Sequence, residues 1–498
     1  MGNRPALPLK ERIEILKSRP PESRGHAACS LEHEADPKEL PVLADALKDE
    51  DPYIRESALH ALDWYGKAPI EAAIAAILAS DGHAPVREAA ARALASCSLH
   101  AAPALIAALS DPAAPVRAQA ALSLGRLEAT DAVAALGAAL QKDESLEVRC
   151  NAAYALGLIK GDAVLPHLIA ASRDASPAVR KQAADALGET FHAGALAPLC
   201  ALLKDPDDEV REEAAHGLQW IAGFGEVRDT VIFAPLCEAL GDSSVKVREN
   251  AIGALGSLRD KRAMPLIEEF LKDEESGIRC AALEAIASID KAGGIGHLVE
   301  ALGDADMRVR ETAARALEHM ECFSSMPAAI KQKLFGIVAS PGEVNYLVRC
   351  SLAKGIAGDP DATPVLIEAL RDGNQYVREA AAQAFADKPD KRALQPLLAG
   401  LDDAEDVVQA ASALALAALG DSAAVEPLGT MLKAGVSPYV RRRVVWALSF
   451  FDHPSVPGLL RLALQDEDPR VQETAEEALR QFGGREPRSP HLGTIHYE

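Results

Sequence analysis

Histidine is followed four positions later by tryptophan twice in this chain, as His60 with Trp64 and His216 with Trp220. On a helix that spacing places an imidazole and an indole on one face. Imidazoles move protons or ligate metals, and indoles are frequent anchors for a bound protein. Tyr154, with Asn151 beside it, lies between the two pairs. Aromatic residues are only 4% of the 498 positions, so such residues carry information. Trp64 and Trp220 also suit a second role, filling space at a seam between structural repeats. Other chemistry is hard to place. The one His-Glu dipeptide is His33-Glu34, and the eight cysteines contain no Cys-x-x-Cys pair. Neither supplies a zinc or disulfide framework, and the thiols read as small buried side chains. No Ser-His-Asp set, phosphate loop or carboxylate pair can be assigned from spacing. The chemistry on offer is therefore binding, with no catalytic residue, metal or cofactor called for.

The elements that position these residues follow from a short block that recurs along the chain: a β-branched residue, Arg, Ala three positions later, and usually an aliphatic residue seven positions later. IRESALHAL, VREAAARAL, VRKQAADAL and VRETAARAL are examples. The Arg falls at Arg55, Arg87, Arg117, Arg149, Arg180, Arg211, Arg248, Arg279, Arg310, Arg349, Arg378 and Arg441, with Gln409 and Gln472 in its place twice, which makes fourteen units of about 31 residues. Each unit reads as two helices with apolar residues at i, i+3, i+4 and i+7. Asp stands six residues before the Arg or Gln in twelve of the fourteen, closing the first helix. Proline opens several second helices, as at Pro52, Pro85, Pro115 and Pro177. Gly125, Gly157, Gly188, Gly256 and Gly420 are expected to cap their C-termini. A helix pair cannot bury its apolar stripe alone, so the units must stack. The predicted fold is all-α, a right-handed superhelix of about fourteen two-helix repeats.

Two sets of columns follow from this register. The Asp of one turn and the Arg of a neighbouring unit, as in Asp81, Arg87, Asp111, Arg117, Asp143, Arg149, Asp174 and Arg180, are placed to form an ion-pair ladder; the alternative is that each Asp caps its own turn while each Arg is solvated. Positions two, five and nine after the Arg share one face of the second helix, and the column at Arg plus five varies freely. Its members include His60, Arg92, Tyr154, Asp185 and His216, and Trp64 and Trp220 lie one turn on. These seven residues are the expected partner-binding set. His60 and His216 are five units apart, too far along a stack to share a metal.

The 52 Lys and Arg against 74 Asp and Glu give a net charge of −22, which argues against nucleic acid, whose binders neutralise phosphates, and favours a protein partner with basic character. The run Arg441 to Arg443 reads as a solvated helix start. No stretch approaches the ~18 apolar residues of a membrane helix, and the first residues lack a signal-peptide core, so a cytoplasmic protein, and with polar end units a monomer, is expected.

The 31-residue unit, with its Asp turn and VRxxAxxALG second helix, resembles the short HEAT-like repeats of phycobilisome (PBS) lyases over residues 24–482. That resemblance implies the HEAT solenoid fold, and a function drawn from a mixed group: bilin lyases, deoxyhypusine hydroxylases and non-catalytic scaffolds. Deoxyhypusine hydroxylases hold iron with His-Glu directly after the repeat Arg, whereas those positions here are Glu56-Ser57, Glu88-Ala89, Ala118-Gln119, Cys150-Asn151, Lys181-Gln182 and Glu212-Glu213. The iron set is missing. The reading is an interaction scaffold that binds a partner along its concave groove, with a bilin-lyase-like enzyme or cofactor chaperone as the alternative. The expected organisation is a degenerate repeat and capping helices over 1–35, a first array over 36–321, an irregular long repeat or bend over 322–348, a second array over 349–482 and a flexible tail over 483–498. A shorter insertion at 221–235 is a second candidate for a recognition element or bend.

Overall fold

The structure, a computed structural model, describes residues 11, 14, 40–65, 70–224, 230–318, 323, 326–340, 345–432 and 436–483. The N-terminal segment expected to cap the array, residues 225–229 of the 221–235 insertion and the C-terminal tail lie outside them wholly or in part. The chain divides into two compact units, Met1–Ala263 and Met264–Glu498, with 322–348 inside the second. Each unit is an all-α, right-handed solenoid of helix pairs, without a sheet among the described residues. A typical repeat has a seven-residue first helix, Ala102–Ala108, led in by one 3-10 turn, and a longer second helix, Ala114–Arg126.

The block explains its own packing. The β-branched residue before each Arg is at most 1% exposed in every repeat, from Ile54 and Val86 to Val440 and Val471. It sits at the start of the second helix, where its side chain faces the first. Ala at Arg plus three and plus four lets successive second helices approach closely, and the aliphatic residue at plus seven, such as Leu94, Leu124 and Leu156, seals the layer at 0% exposure. Burying each such leucine contributes roughly 1.5–3 kcal/mol.

The glycines correct the expectation of helix caps. Gly125, Gly157, Gly188 and Gly256 stand inside their helices. A methyl group on Gly125 would sit 2.6 Å from Ala155 Cα, and one on Gly188 would sit 2.7 Å from Gly217 Cα. These glycines are where one backbone rests on the next. Gly420 alone of the five ends its helix with a left-handed residue, φ +68. Three positions beyond the buried glycines the chain turns left-handed on ordinary residues instead, Glu128, Lys160, Phe191 and Arg259, at φ +50 to +58.

Along the edge where first helix turns into second, most of the repeat Arg side chains make two sets of bonds, while Arg248 and Arg310 show, among the described residues, only those to their own turn. Arg117 donates from Nη1 to the Asp111 carbonyl, six residues back in its own turn, and forks from Nε and Nη2 onto both carboxylate oxygens of Asp143 in the next repeat, at 2.7 and 2.8 Å. Asp143 Oδ1 in turn accepts the N–H of Ser145. The two readings of the Asp column thus hold together: the carboxylate caps its own turn and receives the preceding repeat's Arg. The same fork joins Arg55 to Asp81, Arg87 to Asp111, Arg149 to Asp174, Arg180 to Asp205 and Arg211 to Asp242 in the first unit, and Arg279 to Asp304, Arg378 to Asp403 and Arg441 to Asp466 in the second. Arg349 pairs with Asp372. These side chains are 4–18% exposed, so the pairs are sheltered rather than solvated. Arg441 is accordingly buried, not part of a solvated run, and Arg443 lies over the Tyr439 ring.

The two glutamines show which half of the function is indispensable to the turn. Gln409 and Gln472 keep the bond to the carbonyl six residues back, at 2.6 and 2.5 Å, and lack a fork. For Gln409 the answering position lacks a carboxylate as well, being Gly435.

Candidate protein-binding surface

The second helices lie closer to one another than the first helices do, so their free face presents a continuous row of side chains. In the first unit Leu146–Ile159, Pro177–Glu189 and Asp208–Phe224 are successive second helices in direct contact. They carry Tyr154, Asp185 and His216 at the same register. Tyr154 and Trp220 are 40% and 43% exposed, large aromatic surfaces facing water where the core had room only for alanine and leucine.

His216 and Trp220 meet. Trp220 Nε1 donates to His216 Nε2 at 2.7 Å, with the rings edge to face. An indole N–H can only donate, so Nε2 is the accepting nitrogen and Nδ1 carries the imidazole proton. Nδ1 faces Glu213 Oε1 at 3.4 Å. Burial pushes the Glu213 carboxyl above the usual carboxylate range, and the nearby charge of Asp185 adds to it. Asp185 itself accepts from the Gln182 amide at 2.9 Å.

Phe191 completes the cluster, and nothing in the periodic reading singled it out. It follows the second helix Pro177–Glu189 in left-handed backbone, 38% exposed, with its ring 6.3 Å from Trp220. The available signal was an aromatic residue where helices end, a place that otherwise favours glycine or asparagine.

The other expected residues are arranged differently. His60 is half-buried, 3.9 Å from Glu56. Arg92 pairs with Glu88 on its own helix at 3.0 Å. Trp64 belongs to the last turn of Pro52–Tyr65, and its side chain lies outside the described residues. His60 and His216 stand on second helices separated by four others, and among the described residues no group of His, Cys, Asp and Glu could hold a metal ion. Cys97, Cys150, Cys200, Cys237, Cys280 and Cys350 are half-buried rather than fully buried, and burial pushes the Cys350 thiol up to about 11. That thiol is a poor nucleophile at neutral pH.

The model for HEAT repeats matches residues 9–95, 102–175, 165–231, 233–318, 343–417, 363–449 and 425–492. The chain belongs to the HEAT-repeat family. The narrower PBS lyase HEAT-like repeat matches residues 86–111. Among solved HEAT-fold structures, a chain from the work reporting that Kap95p binding induces the switch loops of RanGDP to adopt the GTP-bound conformation superposes with a TM-score of 0.65 at 14% identity, over 95% of this chain and 76% of that one. Importin beta crystallised in an ammonium sulfate condition gives a TM-score of 0.64 at 16% identity, over 94% and 77%. At such identities the likeness is one of fold. No curated protein matches this HEAT chain. No helix among its described residues is long and apolar enough to cross a membrane.

Proposed function

We propose that this HEAT protein is a non-catalytic scaffold that binds a basic segment of a partner protein along the face of its second helices, as a monomer in the cytoplasm. The observation that carries the reading is the aromatic surface left exposed there: Tyr154, Phe191 and Trp220, each 38–43% exposed in a chain only 4% aromatic. The net charge of −22 supports a basic partner through long-range attraction. Kap95p, whose binding acts on RanGDP, is an instance of protein binding by a chain from work on this fold.

The test is capture from native lysate at low salt by the wild type and by a Tyr154→Ala, Trp220→Ala variant with the same melting curve, followed by cross-linking of what is bound. A protein cross-linked to second helices and lost by the variant supports the reading. Equal recovery, with cross-links on first helices, would remove it. The match of residues 86–111 to a PBS lyase repeat favours one second reading, the handling of a bilin pigment. Colour copurifying with the protein, or tight uptake of added bilin, is its signature.

A further inference from the structure

We propose that the surface formed by Phe191, Glu213, His216 and Trp220 is a receptor for a single arginine side chain of the partner, which lies in an extended segment running from Trp220 toward Tyr154. This rests on the protein-binding reading above and specifies the chemistry of that site.

Trp220 Nε1 donates to His216, and the residue stays 43% exposed, with the ring of Phe191 beside the indole at 50°. A π face accepts either an apolar group or a cation.

The charges nearby decide between these. The three helices Leu146–Ile159, Pro177–Glu189 and Asp208–Phe224 carry four cationic side chains, Arg149, Arg180, Lys181 and Arg211. All are committed: Arg149 to Asp174, Arg180 to Asp205, Lys181 to Glu209 and Arg211 to Asp242. Glu212 is met by Lys246. Among the described residues, Asp185, Glu189 and Glu213 form no ion pair with any Lys or Arg. Glu213 faces the His216 imidazole and feels Lys181 without pairing with it, Asp185 has the neutral Gln182 amide, and Glu189 Oε2 lies beside Gly157 on the Tyr154 helix. An incoming cation relieves that repulsion, whereas an apolar group would desolvate the carboxylates without compensation.

Arginine fits better than lysine. A guanidinium lies flat on an indole and still turns its edge to carboxylates, which a compact ammonium cannot do. The rest of the segment follows from repeat spacing. Neighbouring helices pack about 8–10 Å apart, so Tyr154, two second helices from Trp220, is roughly 16–20 Å away, the span of about five or six extended residues at ~3.3 Å each. The partner motif is thus an arginine and, five or six positions away, a residue with an apolar side chain for the exposed Tyr154 ring.

The experiment uses fluorescein-labelled twelve-residue peptides in a Gly/Ser background with leucine six positions from arginine, lysine or citrulline, the last a neutral isostere of arginine. Anisotropy with the full chain is read at low salt. The arginine peptide is expected to bind about tenfold more tightly than the citrulline peptide, the ratio that ~1.4 kcal/mol of cation recognition produces, with lysine between them. Trp220→Ala and Glu213→Gln should each erase the difference without moving the melting temperature, and Lys142→Ala, exposed at the end of the first helix Val133–Lys142, should leave it intact. Equal binding of arginine and citrulline peptides, or no binding of either, overturns the arginine receptor. If the lysate capture still yields a protein cross-linked to these second helices, the scaffold reading survives that loss; if it yields none, both fall.

Discussion

Arg180 and Asp185 stand five residues apart on one helix, and their surroundings follow opposite rules. Arg180 lies on the turn edge, where it forks onto the Asp205 carboxylate at 2.6 and 2.7 Å, as its counterparts do in repeat after repeat. Asp185 lies on the second-helix face, where the same register holds tyrosine one repeat earlier and histidine one repeat later. The carboxyl groups of the two regions differ in the same way. Arg117's hydrogen bond, outweighing burial and joined by the Ser145 N–H, holds the Asp143 carboxyl below its usual range, while burial and Asp185 push the face carboxylate Glu213 up. Stacking imposes one geometry on most repeats at the edge and leaves the face unspecified. Residues on the face are therefore not held to one type by the stacking.

The largest effect that separates the regions is acid. Edge carboxylates such as Asp111, Asp143, Asp205, Asp242, Asp403 and Asp466 are lowered in the folded state. Their contribution is fully present above the unfolded Asp value of ~3.9 and is lost as pH falls through the folded values. Glu213, raised, has the opposite sign and favours folding as pH falls through its range. Denaturant midpoints followed by circular dichroism should change little between pH 7 and 5 and drop steeply below about pH 4. A midpoint already falling at pH 6 would show that the edge carboxylates do not dominate.

A single rung comes next. Arg117→Met leaves the sheltered Asp143 carboxylate without its fork and should cost about 3 kcal/mol, because Arg117 and Asp143 are only 11% and 8% exposed. Tyr154→Ala, on the exposed face, should cost under ~1 kcal/mol. Urea melts that gave both variants the same loss would erase the distinction between edge and face.

The repeat, its two helices and the buried columns were legible in the sequence because each is imposed on every unit, so fourteen copies repeat the same constraint. What was illegible acts once or between units. The helix glycines were assigned to caps since spacing along one helix cannot reveal that Gly188 touches Gly217 in the next repeat. Gly188→Ala tests the corrected role: its methyl group would meet backbone at 2.7 Å, and a loss of roughly 1–3 kcal/mol is expected from overpacking, whereas a helix-interior glycine without that contact would gain stability from alanine. Phe191 escaped for a related reason, as it reaches Trp220 from the end of the preceding helix. Ser412 is a smaller irregularity. It occupies a column elsewhere held mainly by alanine, is fully buried, and its hydroxyl has no hydrogen-bond partner. Ser412→Ala should raise stability by about 1 kcal/mol; an unchanged midpoint would mean that the hydroxyl is satisfied.

The smallest expected effect returns the comparison to one backbone position. Arg259 and Phe191 both stand eleven residues after their repeat arginine in left-handed backbone, φ +53 and +51, a conformation costing a residue with a side chain on the order of 1 kcal/mol. At Arg259 the cost follows from ending the helix, so Arg259→Gly should remove it and raise the midpoint by the equivalent of ~0.5–1 kcal/mol. At Phe191 the same backbone places a ring against Trp220, and that contact is worth about 0.5–1.5 kcal/mol. Phe191→Gly should therefore leave stability nearly unchanged while weakening the arginine peptide. If instead Phe191→Gly stabilised the protein as much as Arg259→Gly and left peptide binding intact, the aromatic pair would be incidental to the face. A binding loss without a stability loss would show that the ring is kept at a strained position for the partner, not for the fold.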